Sequence, residues 1–212
     1  MKFYNFKTAP NPMKVRAVII HHKIDIEIVD INLLEQENLK TEYLAINPKG
    51  TVPALMLDDG QILLESLAIS SYLDSSYGEI SLFGSNEQEK AFVLQKCIAL
   101  EDFYIGVQEV FRNSLERYKN RGLPGLKPYE QIPELIERGN HRIENNFELI
   151  DKDIKHSLFL ANDHFSYADI TLYIYLQFAK RVLKRDFSHY QNIMNWETHL
   201  SKEHSIQELY DS

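Results

Sequence analysis

The chain has 212 residues, of which 44% are hydrophobic and 25% charged, and a net charge of −8. This length and composition exclude a disordered chain and suit one large or two small packed domains. The acidic balance argues against general nucleic-acid binding, and no apolar run approaches the ~20 residues of a membrane helix.

The first part of the chain alternates element types. The segment "KFYNF" (2–6) predicts a short aromatic strand. "PMKVRAVIIHH" (12–22) predicts a helix, with Pro12 in its first turn and Val15, Val18 and Ile19 on one face. "IDIEIVDI" (24–31) alternates apolar and polar residues, as a strand does. A short helix is expected over 34–46, ending at Asn47-Pro48. "PALML" and "QILLE" flank the turn "DDG" and predict a hairpin. "SLAISSYLDSSY" (66–77) predicts a helix whose apolar stripe is Ala68, Ile69, Tyr72 and Leu73, with Ser70, Ser71 and Asp74 on the polar side. The order is βαβαββα, with the first two strands parallel.

A domain over residues 1–78 is therefore expected, a Gly/Ser-rich linker over 79–87, and an all-helical domain over 88–212. The helical part should hold long helices over 88–118 and 132–151, a central buried helix over 166–183 and a weaker one over 189–200. Cys97 is the only cysteine, so no internal disulfide is possible. The N-terminus has no apolar signal stretch, and a cytoplasmic protein is expected.

Two short stretches carry chemistry. Pro53 cannot donate to a ladder, so Val52-Pro53 is either a trans proline at a strand entrance or a cis bond. A cis bond would turn the chain and leave the Val52 N–H and C=O to pair with a peptide ligand as an added strand. Glu65-Ser66 opens a helix. Ser66 is a good N-cap by type, and a helix start attracts carboxylate while Glu65 attracts an ammonium. The pair suits the head of a free amino acid, or else is a plain capped helix beside a surface Glu.

These elements lie on either side of one hairpin. Their combination resembles the glutathione transferase family over nearly the whole chain: "NPKGTVPAL" at 47–55, "ESLAISSYL" at 65–73, the βαβαββα order and the helical second part. The resemblance implies a thioredoxin-like first domain and a cis bond before Pro53. It implies that the Val52 main chain, within a segment that includes Thr51, pairs with the cysteinyl unit of glutathione. Glu65 and Ser66 would hold the γ-glutamyl end. Lys49 either attracts the glycyl carboxylate or is merely exposed. "SYAD" at 166–169 looks like the family's N-capping box, and the physics agrees: Ser166 can cap the amide near Asp169 while Asp169 reaches back.

The resemblance also implies that a residue between the first strand and first helix activates the glutathione thiol, whose free pKa is ~8.5. Here that segment is "KTAPNPMKVR", and the family's usual hydroxyl falls at Ala9 and its alternative cysteine near Pro10. Asn11 could donate its amide to sulfur instead, or be a turn residue between two prolines. Thr8 is the next choice, and Tyr4 the third, with core or subunit packing as its other reading. Tyr104, Phe111 and Tyr118 are spaced by seven, and Tyr104 and Phe111 are expected at the second substrate, placed by the resemblance between the domains, or in the core. Glu101 or Asp102 could cross a homodimer interface to the glutathione amino group, or be solvated. His21-His22 cannot share a helix face, so no metal is expected. The expected activity is conjugation of glutathione, as co-substrate and without any other cofactor, to a hydrophobic electrophile. Alternatives are a glutathione-dependent disulfide reductase or peroxidase, and a non-catalytic binding or regulatory module.

Overall fold

The protein is described here from a computed structural model covering residues 1–155 and 157–211. Two compact units divide it. One holds Met1–Glu79, Pro124–Lys127 and the last residues from Gln207; the other holds Ile80–Leu123 and Pro128–Ile206.

In the first unit the elements run β1 (Lys2–Asn5), α1 (Pro10–His21), β2 (Glu27–Asp30), a 3-10 turn (Glu37–Leu39), α2 (Thr41–Leu44), β3 (Ala54–Met56), β4 (Ile62–Leu64) and α3 (Ser66–Tyr77). The sheet order is β2-β1-β3-β4. β1 and β2 are parallel, Phe3 opposite Ile28, because a helix connects them; β3 and β4 form the antiparallel hairpin, Leu55 opposite Leu63. This is the thioredoxin-like arrangement expected. Strand parity splits the apolar residues between two faces. Tyr4, Val29, Ala54, Met56, Ile62 and Leu64 pack with Ile31 and Tyr43 on one side. Phe3 and Leu55, of opposite parity and fully buried, face the layer where α1 and α3 pack on each other.

Several local expectations change. α1 begins at Pro10, two residues early: Ala9 is extended at φ −85° and ψ 134°, and Pro10 supplies a helical φ at the first position. Only residues 27–30 of the second predicted strand pair, and Ile28 is half exposed on this edge. The helix expected over 34–46 is broken at Lys40, which is extended at ψ 153°. Asn32 competes with it: its side chain accepts from Leu34 N at 3.0 Å, and its own N–H donates to Glu37 Oε2 at 2.7 Å.

On α3, Ser70 and Asp74 are buried while Ala68 and Tyr72 are exposed, the reverse of the predicted stripe for those four residues. The reason is the partner helix. His22, at the end of α1, meets Asp74 at 2.8 Å, so the buried face of α3 is built around a polar contact as well as Ile69 and Leu73.

In the second unit α4 spans Glu87–Ser114, α5 Glu134–Ile154, α6 Tyr167–Leu183 and α7 Gln191–Leu200; α8 is His204–Asp211. Asn86 caps α4 by accepting from the amides of Gln88 and Glu89, both at 3.0 Å. α4 stops four residues before the predicted end because Leu115 turns extended; Tyr118 lies in a following 3-10 turn. α4 and α5 approach closely at Gly106 and Gly139, where a Cβ on Gly139 would lie 2.8 Å from Gly106 O. α6 is buried along most of its length, and its start carries the full capping box: Ser166 N and Oγ donate to Asp169 Oδ2 at 3.0 and 2.7 Å. Trp196 Nε1 and Leu160 N donate to Asp169 Oδ1 at 3.2 and 2.8 Å. α8 went unread because its buried residues, Ile206 and Leu209, are too few to make a period. No helix among the described residues is long and apolar enough to cross a membrane.

Candidate functional site

The first unit carries a cleft of about 190 Å³ lined by Asn11, Asn47, Lys49, Thr51, Val52, Pro53, Leu64, Glu65 and Ser66. Residues from three separate stretches of sequence converge here: the start of α1, the loop before β3, and the junction of β4 with α3.

The loop is held from below. The Asn47 side chain, 1% exposed, donates to Thr51 O at 2.7 Å and Thr51 Oγ1 at 3.1 Å, and accepts from Lys49 N at 3.1 Å. Tyr43 OH donates to the same Thr51 carbonyl at 2.6 Å; burial pushes this hydroxyl well above the usual tyrosine pKa, so it stays a donor. Gly50, at φ +62°, closes the turn through Gly50 N to Asn47 O at 2.9 Å, and its carbonyl accepts from Asn38 Nδ2 at 2.7 Å. The Val52-Pro53 bond is cis. Val52 lies outside the β3 ladder, and among the described residues its N–H and C=O enter none of the turn or loop hydrogen bonds.

Glu65 occupies the N-cap position of α3 and Ser66 the first helical position, so the expected Ser66 cap is corrected. The cause is backbone geometry. Glu65 sits at φ +68° and ψ 121°, a left-handed conformation costing about 1–3 kcal/mol in a non-glycine residue, and this sharp bend starts the helix directly after it. The Glu65 carbonyl accepts from Ile69 N at 3.0 Å, while its side chain remains exposed. Lys49 Nζ lies 3.0 Å from Glu65 Oε1; the two side chains are 66% and 72% exposed, so the pair contributes little to stability and both charges can turn to a ligand. The N-terminal dipole of α3 places partial positive charge beside Glu65.

Asn11 lines the cleft from the second helical position of α1. Pro10 and Pro12 flank it and carry no N–H, so Asn11 is the only one of the first three helical residues with an amide proton. Thr8 is exposed in the turn before α1 and is absent from the cleft lining. The early helix start explains this: it carries Asn11 into the cleft wall and leaves Thr8 behind. Tyr4 is buried edge-to-face against Tyr43, ring centroids 5.9 Å apart, and serves the core. Asn47 and Leu64 line the cleft without having been singled out. The Asn47-Pro48 pair marked a turn, but only folding shows that the Asn47 side chain braces it.

In the second unit, Tyr104 stacks on Tyr175 of α6 with centroids 4.4 Å apart and planes at 7°. Phe111 packs edge-on against Tyr118 at 4.7 Å and Phe178 at 5.6 Å. Glu101 accepts from Tyr175 OH at 2.6 Å. Asp102 pairs with Arg142 and accepts from Asn146 Nδ2 at 2.8 Å. Both acids are exposed, yet engaged within their own chain. Cys97 is buried near Thr171.

A thioredoxin-like unit joined to a helical one, with a polar cleft beside a cis-proline loop, defines a class whose members can be compared directly. Residues 3–81 match the family model for the N-terminal domain of glutathione S-transferases, and residues 133–201 match that for the C-terminal domain. Glutathione S-transferase 2 of Saccharomyces cerevisiae is 28% identical over an alignment covering 100% of this chain and 90% of its own. Glutathione S-transferase 1 of Manduca sexta is 32% identical over 80% of this chain and 73% of its own. The crystal structure of Gtt2 from Saccharomyces cerevisiae has a TM-score of 0.85 at 29% identity, covering 99% of this chain and 100% of that one. The chain belongs to the glutathione S-transferase family, and it is a transferase.

Proposed function

We propose that the first unit binds glutathione in the cleft at Val52 and Glu65, and that the enzyme conjugates it as thiolate to a hydrophobic electrophile. The observation that carries this is the convergence of three complementary features in one cleft: Val52 main-chain groups outside the ladder, the Glu65–Ser66 helix start, and Asn11. A cysteinyl unit would pair with the Val52 N–H and C=O as an added strand. The γ-glutamyl ammonium would meet Glu65, its carboxylate the start of α3 at Ser66, and the far glycyl carboxylate Lys49. Thr51 supports the strand by fixing the loop. Asn11 would place its side-chain amide and the α1 dipole near sulfur, favouring thiolate over thiol. Thr8, in the turn before α1, is the second residue proposed for that role. Tyr104 and Phe111 are proposed as apolar contacts of the electrophile, and the enzyme as a cytoplasmic homodimer in which Glu101 or Asp102 reaches the partner's glutathione.

Calorimetry with glutathione, and turnover of 1-chloro-2,4-dinitrobenzene with a glutathionyl disulfide run in parallel, test the proposal. Saturable glutathione binding, aryl conjugation exceeding disulfide reduction, and a kcat lowered about 10- to 100-fold in Asn11→Ala with binding retained are the expected results. Absence of saturation at millimolar glutathione overturns the binding site. Faster disulfide reduction overturns the choice of reaction.

A further inference from the structure

The end of α4 holds two guanidinium groups, Arg112 and Arg117, that no carboxylate among the described residues pairs with. Arg112 is half-buried; its Nε donates to Gln108 Oε1 at 2.7 Å and its Nη1 to the Arg121 carbonyl at 3.2 Å. Both acceptors are neutral. Among the described residues Arg112 makes no ion pair, and its Nη2 neither finds a partner nor is sealed from solvent. Arg117 likewise has no carboxylate partner among them. Two nearby acids are already paired: Glu109 with Arg138 and Arg142, and Glu116 with Lys119.

Two guanidinium groups meet one ring. Arg112 Cζ lies 5.0 Å and Arg117 Cζ 5.2 Å from the Tyr118 centroid, and Arg117 also lies 5.3 Å from Phe111. A ring quadrupole offsets only part of the cost of holding two like charges there. Burial and the Arg121 charge both lower the Arg112 pKa, yet a guanidinium stays protonated in any folded protein. The charge therefore persists. A protein of net charge −8 has carboxylates to spare, yet among the described residues none forms an ion pair with Arg112 or Arg117.

We infer that this end of α4 is a binding site for an aromatic monoanion, a carboxylate or sulfonate, whose charged group meets Arg112 and Arg117 and whose ring lies against Tyr118. The open Arg112 Nη2 supplies the donor, Arg117 the second charge, and the half-buried Tyr118 ring the apolar wall. The inference concerns binding and holds whether or not the enzyme conjugates such a ligand. If Tyr104 and Phe111 contact the electrophile as proposed, the neighbouring site makes acidic aromatic electrophiles the favoured substrate class.

Equilibrium dialysis of 2-naphthoate and the neutral 2-naphthamide, in the absence of glutathione, tests it. Wild type should bind naphthoate roughly ten-fold or more tightly than the amide, as a charge-assisted bond implies. Arg112→Met should erase the difference, and Arg112→Lys should restore part of it. Because Arg112 also holds the Arg121 carbonyl, Arg117→Met provides a second test that leaves this contact intact; it should lower naphthoate affinity several-fold and leave the amide unchanged. Equal affinity of the two probes in wild type, or a naphthoate preference that survives both folded methionine variants, overturns the inference. None of these readings requires turnover, so failure of conjugation is registered separately.

Discussion

Replacing Asn47 with alanine should damage glutathione binding without removing any group proposed to touch the reacting sulfur. Asn47 is 1% exposed and makes three side-chain contacts inside the loop, to Thr51 O, Thr51 Oγ1 and Lys49 N. Neutral hydrogen bonds contribute about 0.5–1.5 kcal/mol each, so their loss should destabilise the fold by about 2–4 kcal/mol. The loop, not the core, absorbs the change, because its other anchors remain: Tyr43 OH still donates to Thr51 O, and Asn38 still holds Gly50. The Val52 main chain then samples more positions, and glutathione affinity should fall by roughly ten-fold as the competent loop becomes a minor population. Urea unfolding gives the stability change and calorimetry the affinity. Tyr43→Phe supplies the control. It removes one donor to the same Thr51 carbonyl, so the double variant should be non-additive. An Asn47→Ala protein that loses stability yet binds glutathione as wild type does would refute the idea that this buried brace positions Val52.

Gly50→Ala should cost about 1–2 kcal/mol, since the residue sits at φ +62° and an added Cβ would lie 3.0 Å from Leu39 Cδ2 and 3.1 Å from Asn38 O; thermal melts read the loss directly. His22→Ala removes one partner, at 2.8 Å, of the buried Asp74 carboxylate and should destabilise the first unit by about 1.5–3 kcal/mol, a figure that denaturant unfolding would contradict by showing a change below 1 kcal/mol. Asp169 predicts a pH dependence. Burial pushes its carboxyl up from 3.8 to about 6, outweighing the donors from Ser166, Leu160 and Trp196. Its folded pKa lies above the unfolded one, so its contribution is complete below about pH 4 and is lost as pH rises through about 6. The stability deficit of Asp169→Asn relative to wild type should therefore shrink by about 2–3 kcal/mol between pH 4 and pH 7. A deficit that is constant or grows over that range would reverse the sign of the argument.

The sequence by itself specified what depends on local spacing. The βαβαββα order follows from the change between two-residue and 3.6-residue periods, and the "DDG" turn marks the β3–β4 hairpin. The capping box at Ser166 and Asp169 is a three-residue contact, so it was legible too. The motifs around Pro53 and Glu65 named segments that share one cleft. Tertiary structure decided what depends on neighbours distant in sequence. Asp74 reads as a solvent-facing residue until α1 brings His22 to it. Pro12 looked like the helix start until the extended Ala9 let Pro10 take that place, and this shift of two residues is what carries Asn11 into the cleft wall and leaves Thr8 outside it. Ser66 has the chemistry of a cap, but the left-handed bend at Glu65 puts it inside the helix. Arg112 shows the same limit from the other side. Its spacing on α4 is ordinary, and only the folded chain shows that Glu109 and Glu116 pair with other cations. Periodicity records which way a side chain points from its own backbone; whether it meets a partner, water or a ligand is set by chain segments that no local window contains.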